Sequence, residues 1–336
     1  FMAMARRGLF YTFLAIYLRD TLGLSVTATT LYSSISMIAN SVSQTFIWGK
    51  ISDKYQASES LVIVGETTAM FGYILVYFFQ TYLLNTAGPV AAGYGIIAGL
   101  STLEFFWSMS NLGWSALISD LSTPEERGKL MGLISSVGGI GQIFGITVSG
   151  LMYDWGGEAG GFKNGPLFFF AAGIMLASAA LIWFSIRPSK RKRRSKTDDS
   201  VSEETTALPN RYSPRLFYWF LCSIFIVGLG VNSISQILLM YVYLPSPIGA
   251  TAFDVAMIRD SAAIAMIVTS LSAGFIIAKI GDRKAIGVGF VLAAITPILY
   301  TLAQNVAQMV VINSLSGVST AFMNVVGYVV ASNLIP

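Results

Sequence analysis

Trp48-Gly-Lys-Ile-Ser-Asp-Lys-Tyr-Gln-Ala-Ser-Glu59 is a short charged segment set between two long apolar runs. Thr21 to Gly49 carries no charged residue, and Leu61 to Leu103 carries one, Glu66. A helix crosses the hydrocarbon core of a bilayer with about 20 apolar residues, so the segment reads as a turn at a membrane surface between two spans. The pattern returns at Ala278-Lys-Ile-Gly-Asp-Arg-Lys284. One hairpin design used twice, with an aspartate and flanking bases just after an apolar run, points to an internally repeated membrane protein.

Composition agrees. Of 336 residues, 54% are hydrophobic and only 11% charged, a balance no water-soluble fold of this size would tolerate. Leu130–Tyr153, Pro166–Ile186 and Leu216–Phe253 are charge-free. They are long enough for helices and lack the alternation of barrel strands, so the fold class is an all-α membrane protein. One cysteine, Cys222, excludes an internal disulfide, and the absence of histidine excludes that side chain as metal ligand or proton carrier.

Ten spans are predicted: the start to about Leu18, Val26–Trp48, Leu61–Leu83, Pro89–Ser119, Pro124–Tyr153, Pro166–Ile186, Leu216–Leu244, Asp254–Ile280, Ala285–Ala303 and Val306–Leu334. Pro124, Glu125 and Glu126 fill a first helical turn behind Ser122 or Thr123 as cap. The run from Arg187 to Arg215 is highly charged, Lys190-Arg-Lys-Arg-Arg-Ser-Lys196 followed by four acids, and reads as a disordered linker. The predicted organisation is therefore a bundle over 1–187, a linker over 188–214 and a second bundle over 215–336. Lys50, Lys54, Arg127, Lys129, Lys279, Arg283, Lys284 and the linker bases fall on one side, and Arg19, Lys163 and Arg259 on the other. Bases accumulate inside the cell, which makes the N-terminus and linker cytoplasmic in a multi-pass protein of the plasma membrane. The basic run touches anionic lipid rather than nucleic acid. Six spans precede the linker and four follow it, so the chain is expected to begin inside the first span and to lack two spans of an expected twelve.

Two bundles, a long central linker, the Gly49-x-x-x-Asp53-Lys54 turn with its Asp282-Arg283 counterpart, and Asp120-Leu-x-x-Pro-Glu-x-Arg127-Gly128 together resemble the major facilitator superfamily. The resemblance implies a two-bundle secondary transporter whose halves rock between inward-open and outward-open states. It also implies a gating role for Gly49, Asp53, Lys54, Arg127, Asp282 and Arg283, with Asp282 meeting the start of the fifth span near Arg127 and Lys129. The turn departs from the family pattern at Gln56, Ala57 and Ser58, and Ala278 replaces a glycine. The fifth span carries Gly-x-x-x-Gly at 128/132 and 141/145, which predicts close helix packing. It is similar in part to the signature of drug/proton antiporters, with Gln142 in a proline position and Ile146 in a glycine position.

Charges inside the spans are the candidate site. Glu104 lies midway along the fourth span with charge-free sequence on both sides, and a lone ionisable group in lipid costs several kcal/mol unless paired. Glu104, Trp107, Ser108 and Asn111 share a helical face that suits a cavity wall. Arg6 and Arg7 lie roughly 20 Å from the end of their span at 1.5 Å per residue, so at least one faces the interior, as the neighbour of Glu104. Asn232, Gln236 and Asn313 are substrate contacts or interhelical hydrogen bonds. Glu66 is expected to snorkel to the surface, and Asp254, Arg259 and Asp260 to form a solvated rim.

The sequence thus predicts a transporter, not an enzyme, moving a small molecule by alternating access and acting as a monomer in lipid without a cofactor. An amphiphilic or cationic compound exported against a proton or other ion gradient suits Glu104 beside aromatic residues. Uptake of a sugar or organic anion is the alternative, and a transporter-like membrane sensor or scaffold is the alternative from another class.

Overall fold

The computed structural model describes residues 1–55, 58–121, 124–185, 214–246 and 248–334, and every regular element among them is a helix. The predicted linker lies outside the described residues except for Pro214, which opens a helix.

α1 (Met2–Ile16) continues into a π-helical turn, Tyr17–Thr21. α2 (Val26–Val42) is capped by Ser25, whose side chain accepts from the Ala28 amide, and runs on through a second π-helical turn, Ser43–Trp48, into α3 (Gly49–Tyr55). The turn expected from Trp48 onward is thus helical as far as Tyr55, because after Gly49 nothing in this stretch breaks a helix. α4 (Ser58–Thr86) ends where the amides of Ala87 and Gly88 both bond the Leu83 carbonyl, with Gly88 at φ +88°. The next helices are α5 (Pro89–Leu121), α6 (Pro124–Met152), α7 (Gly160–Lys163), α8 (Pro166–Ser185) and α9 (Pro214–Tyr243). Pro89, Pro124, Pro166 and Pro214 each occupy a first helical position, where the missing N–H loses no bond. α10 (Ala252–Ile280), α11 (Asp282–Leu302) and α12 (Val306–Leu334) complete the chain, and the second charged turn shrinks to one residue, Gly281, at φ +84°.

Six helices among the described residues contain a stretch long and apolar enough to cross a bilayer, namely Ser58–Thr86, Pro89–Leu117, Pro166–Ser185, Ala252–Ser272, Lys284–Leu302 and Val306–Met323. On α4, Phe71, Leu75, Phe78 and Tyr82 recur at spacings of four and three and are each more than half exposed. An apolar stripe of that kind on the outside of a bundle needs lipid against it.

α1 is the buried axis of the first bundle, packed against α6 and α8, while α4 packs on α5 and α8, and α2 on α5. Phe10 of α1 meets Tyr73, Phe168 and Phe162 at ring-centroid distances of 4.8, 4.9 and 5.2 Å. Phe162 belongs to the short α7, so the loop between α6 and α8 closes over one end of this core. In the second part of the chain α10 and α11 both pack on α12, and α10 reaches across to α6.

Candidate functional site

Arg6 enters the bundle on α1 with no solvent exposure. Its Nη1 donates to the Tyr73 hydroxyl at 2.7 Å and to the Tyr11 hydroxyl at 3.2 Å, and lies 3.6 Å from Glu104 Oε1. Tyr11 donates to the same carboxylate oxygen at 2.6 Å, and Asn40 Nδ2 donates to the other at 3.3 Å. The guanidinium also sits over the Trp107 ring, 4.3 Å from its centroid. Of the two arginines expected beside Glu104, the fold brings Arg6 to it. Arg7 is exposed, its guanidinium 5.6 Å from the Trp107 centroid. A buried ion pair is tolerable only where further hydrogen bonds occupy the remaining polar atoms. Here two tyrosines and an asparagine supply most of them, while Arg6 Nε and Nη2 lack a partner.

Glu104 is held in place by a polar ladder between α2 with its π-helical extension and α5. The hydroxyls of Ser36 and Ser101 pair at 3.2 Å, Asn40 meets Glu104, and the hydroxyls of Ser43 and Ser108 pair at 2.6 Å. Positions 36, 40 and 43 face 101, 104 and 108, each set stepping by three or four, which is one face of each helix. Trp107 and Ser108 are buried beside Glu104, whereas Asn111, one turn further on, is exposed.

Glu66 corrects the sequence reading. It is fully buried rather than snorkelled, and its Oε1 accepts from Ser110 at 2.6 Å and from Trp107 Nε1 at 3.4 Å. Its Oε2 has no partner. Trp107 therefore separates two carboxyl groups, with Arg6 stacked on its face. The helix begins at Ser58, three residues before the predicted start, so Glu66 lies eight residues into α4, about 12 Å at 1.5 Å per residue, deeper than counting from Leu61 suggests.

A family model described as Major Facilitator Superfamily matches residues 1–258, more than half of the chain. The chain belongs to the major facilitator superfamily. With its apolar helices, that makes it a multi-pass membrane protein of a transporter family. It is 26% identical over 204 residues to "Multidrug resistance protein MdtG" of Salmonella paratyphi C (strain RKS4594), a match covering 60% of this chain and 48% of that protein. Against "Multidrug resistance protein MdtG" of Yersinia enterocolitica serotype O:8 / biotype 1B (strain NCTC 13174 / 8081) it is 23% identical over 285 residues, 84% of this chain and 63% of the other. "Multidrug resistance protein 2" of Bacillus subtilis (strain 168) is 24% identical over 192 residues, 56% and 46% respectively. The matches span between about half and under two thirds of these relatives' lengths.

In this member of the superfamily the 141/145 glycines of α6 do what their spacing predicts, while the side-chain surroundings of Gly128 and Gly132 lie outside the described residues. A Cβ at Gly145 would collide with the Ala5 carbonyl oxygen and one at Gly141 with that of Phe1, while Gly8 of α1 faces the Gln142 carbonyl equally closely. The two main chains are in contact, which only glycine allows.

Beyond this seam a cavity of about 280 Å³ opens between α6 and the last four helices, lined by Gln142, Arg259, Thr296, Tyr300, Asn313 and Thr320 among others. Arg259 and Asp260 correct the expectation of a solvated rim: Arg259 faces this cavity, and Asp260 Oδ2 accepts from Thr147 of α6 at 2.8 Å. Asp254 alone behaves as a rim residue, accepting from the Thr251 amide and hydroxyl at the start of α10. Asn313 is buried, accepts from the Tyr300 hydroxyl at 2.7 Å and donates to the Ile258 carbonyl, so its amide joins three helices. Among the sites implied by the family resemblance, Gly49 opens α3 and Lys54 is exposed near its end. The side chains of Asp53, Arg127, Asp282, Arg283, Asn232 and Gln236 lie outside the described residues.

Proposed function

We propose that the chain is part of a proton-coupled exporter of amphiphilic or cationic small molecules, working by alternating access between two bundles. In this reading ten of its helices span the plasma membrane, with the N-terminus and the linker over 188–214 in the cytoplasm. It acts as a monomer, and an ion gradient, not a cofactor, drives it. Glu104 is the group that takes a proton or a cationic substrate, and Arg6 is the counter-charge it is released from or returned to. Gly49, Asp53, Lys54, Arg127, Asp282 and Arg283 gate the change of state.

One observation carries this reading. Glu104 sits mid-bundle on α5, tied at once to a fully buried arginine, a tyrosine and an asparagine. Protonating the carboxylate removes its attraction for Arg6, so proton occupancy is linked to the side-chain tie between α1 and α5. The relatives named as multidrug resistance proteins support export as the direction.

The test is flux of ethidium, a cationic amphiphile, in proteoliposomes with an imposed pH gradient. Glu104→Gln is expected to abolish gradient-driven flux, and Glu104→Asp to retain part of it. Unchanged coupled flux in Glu104→Gln rules out the proton-carrier role.

A further inference from the structure

The cavity beside α10 holds a charge that the transport reading has not used. Arg259 stands seven residues into α10, about 10 Å along the helix at 1.5 Å per residue. It lines the cavity, and its Nε is buried without a hydrogen-bond partner. Among the described residues it forms no ion pair. Its neighbour Asp260 projects from a different part of the helix surface, about 100° away, and is engaged by Thr147 on α6. Asp260 lies within electrostatic reach of the guanidinium but closes no ion pair with it, and ionisable groups so placed in membrane spans mark ligand pathways.

The rest of the wall suits a small polar head on an apolar body. Gln142, Thr296, Tyr300, Asn313, Ser316 and Thr320 bring amides and hydroxyls from three helices, interleaved with Ile234, Leu238 and Met266. A volume of about 280 Å³ is close to the lower end of small-molecule sites, roughly 300–1,000 Å³, so the occupant is compact. Arginine presents a planar fork that matches carboxylate, sulfonate or phosphate oxygens two at a time.

We propose that this cavity is a binding site for a compact organic anion, a carboxylate, sulfonate or phosphate ester on an apolar body, with Arg259 as the counter-charge. It deepens the transport reading by adding a substrate class that the Glu104 site would repel.

The experiment is equilibrium dialysis of the purified full chain in uncharged detergent with labelled 1-naphthalenesulfonate, and in parallel with 1-naphthalenemethanol, its uncharged counterpart. Saturable sulfonate binding is expected, weakened by about tenfold or more in Arg259→Gln and by much less in Arg259→Lys, with binding of the alcohol unchanged. Equal loss of both ligands in Arg259→Gln, or undiminished sulfonate binding, overturns the assignment. Should Arg259→Gln fail to fold by size-exclusion chromatography, the wild-type comparison decides: an alcohol bound as well as the sulfonate overturns it. Labelled phosphatidylglycerol that binds saturably and is not displaced by excess sulfonate also overturns it, in favour of a lipid headgroup. Dialysis needs no gradient, so absent ethidium flux with intact sulfonate binding defeats the exporter reading and leaves this site standing.

Discussion

Replacing Arg6 with methionine keeps a long apolar stem but removes the ion pair to Glu104 at 3.6 Å and the bonds to Tyr73 and Tyr11. At 3.6 Å and an effective dielectric of about 20, the bare attraction is about 4–5 kcal/mol. Removing one member of a buried pair leaves the other charge uncompensated, so Arg6→Met is expected to destabilise the protein by about 3–5 kcal/mol, and Glu104→Gln by a smaller amount because the glutamine oxygen still accepts from Tyr11. The double variant has no orphaned charge. It is expected to be more stable than the sum of the single effects predicts, by about 2–3 kcal/mol, since contacting groups couple strongly. Reversible unfolding in mixed micelles, followed by tryptophan fluorescence, measures all four corners of the cycle. A coupling below about 0.5 kcal/mol refutes the pairing, because distant independent sites add to within that margin.

Three further outcomes follow from the packing. Gly145→Val drives a side chain into the Ala5 main chain and is expected to cost more than about 3 kcal/mol or prevent folding, whereas Gly173→Ala, with open space around it, stays within about 1 kcal/mol, as read by thermal unfolding. Glu66→Gln keeps an oxygen to accept from Ser110 and Trp107 while removing the acid, so its melting temperature is expected to equal or exceed the parent's; a loss of several degrees contradicts the burial described for Oε2. Asn313→Ala breaks its bonds to Tyr300 and Ile258, at about 0.6 kcal/mol per interhelical bond in membranes, so a loss of about 1–2 kcal/mol is expected in the same micelle assay, and no measurable loss would show that the amide holds nothing together.

The helical architecture was legible because hydropathy reports how far along a span a residue lies. Charge-free runs located the helices to within a few residues, and prolines marked where several begin. That Glu104 meets Arg6 or Arg7 was legible for the same reason, since all lie deep in their spans, and only the fold selects Arg6. Hydropathy does not report rotation about the helix axis, and there the reading failed. Glu66 and Arg259 were placed near surfaces by counting residues, yet one is turned toward Trp107 and the other toward a cavity, through the packing of α5 and α12. Tyr11, Tyr73 and Asn40 went unnoticed because aromatic and amide residues in an apolar run carry no depth signal. The charged turn at Trp48 was overextended because polarity was taken for loop, although polar residues continue a helix readily once it leaves the hydrocarbon.

The two sides of α6 differ in what they would resist. Toward α1, Gly141 and Gly145 bring backbone against backbone, so any shear between these helices must first pry the main chains apart. Toward α10, Gly139 meets the flexible side chain of Ile267 and Gly150 meets the methyl of Ala256, contacts that slip by a rotamer change or a sideways step. Of the two faces, the one toward α10, crossed by the hydrogen bond from Thr147 to Asp260, is the easier to shear, and it is the one that separates the Arg6–Glu104 pair from Arg259.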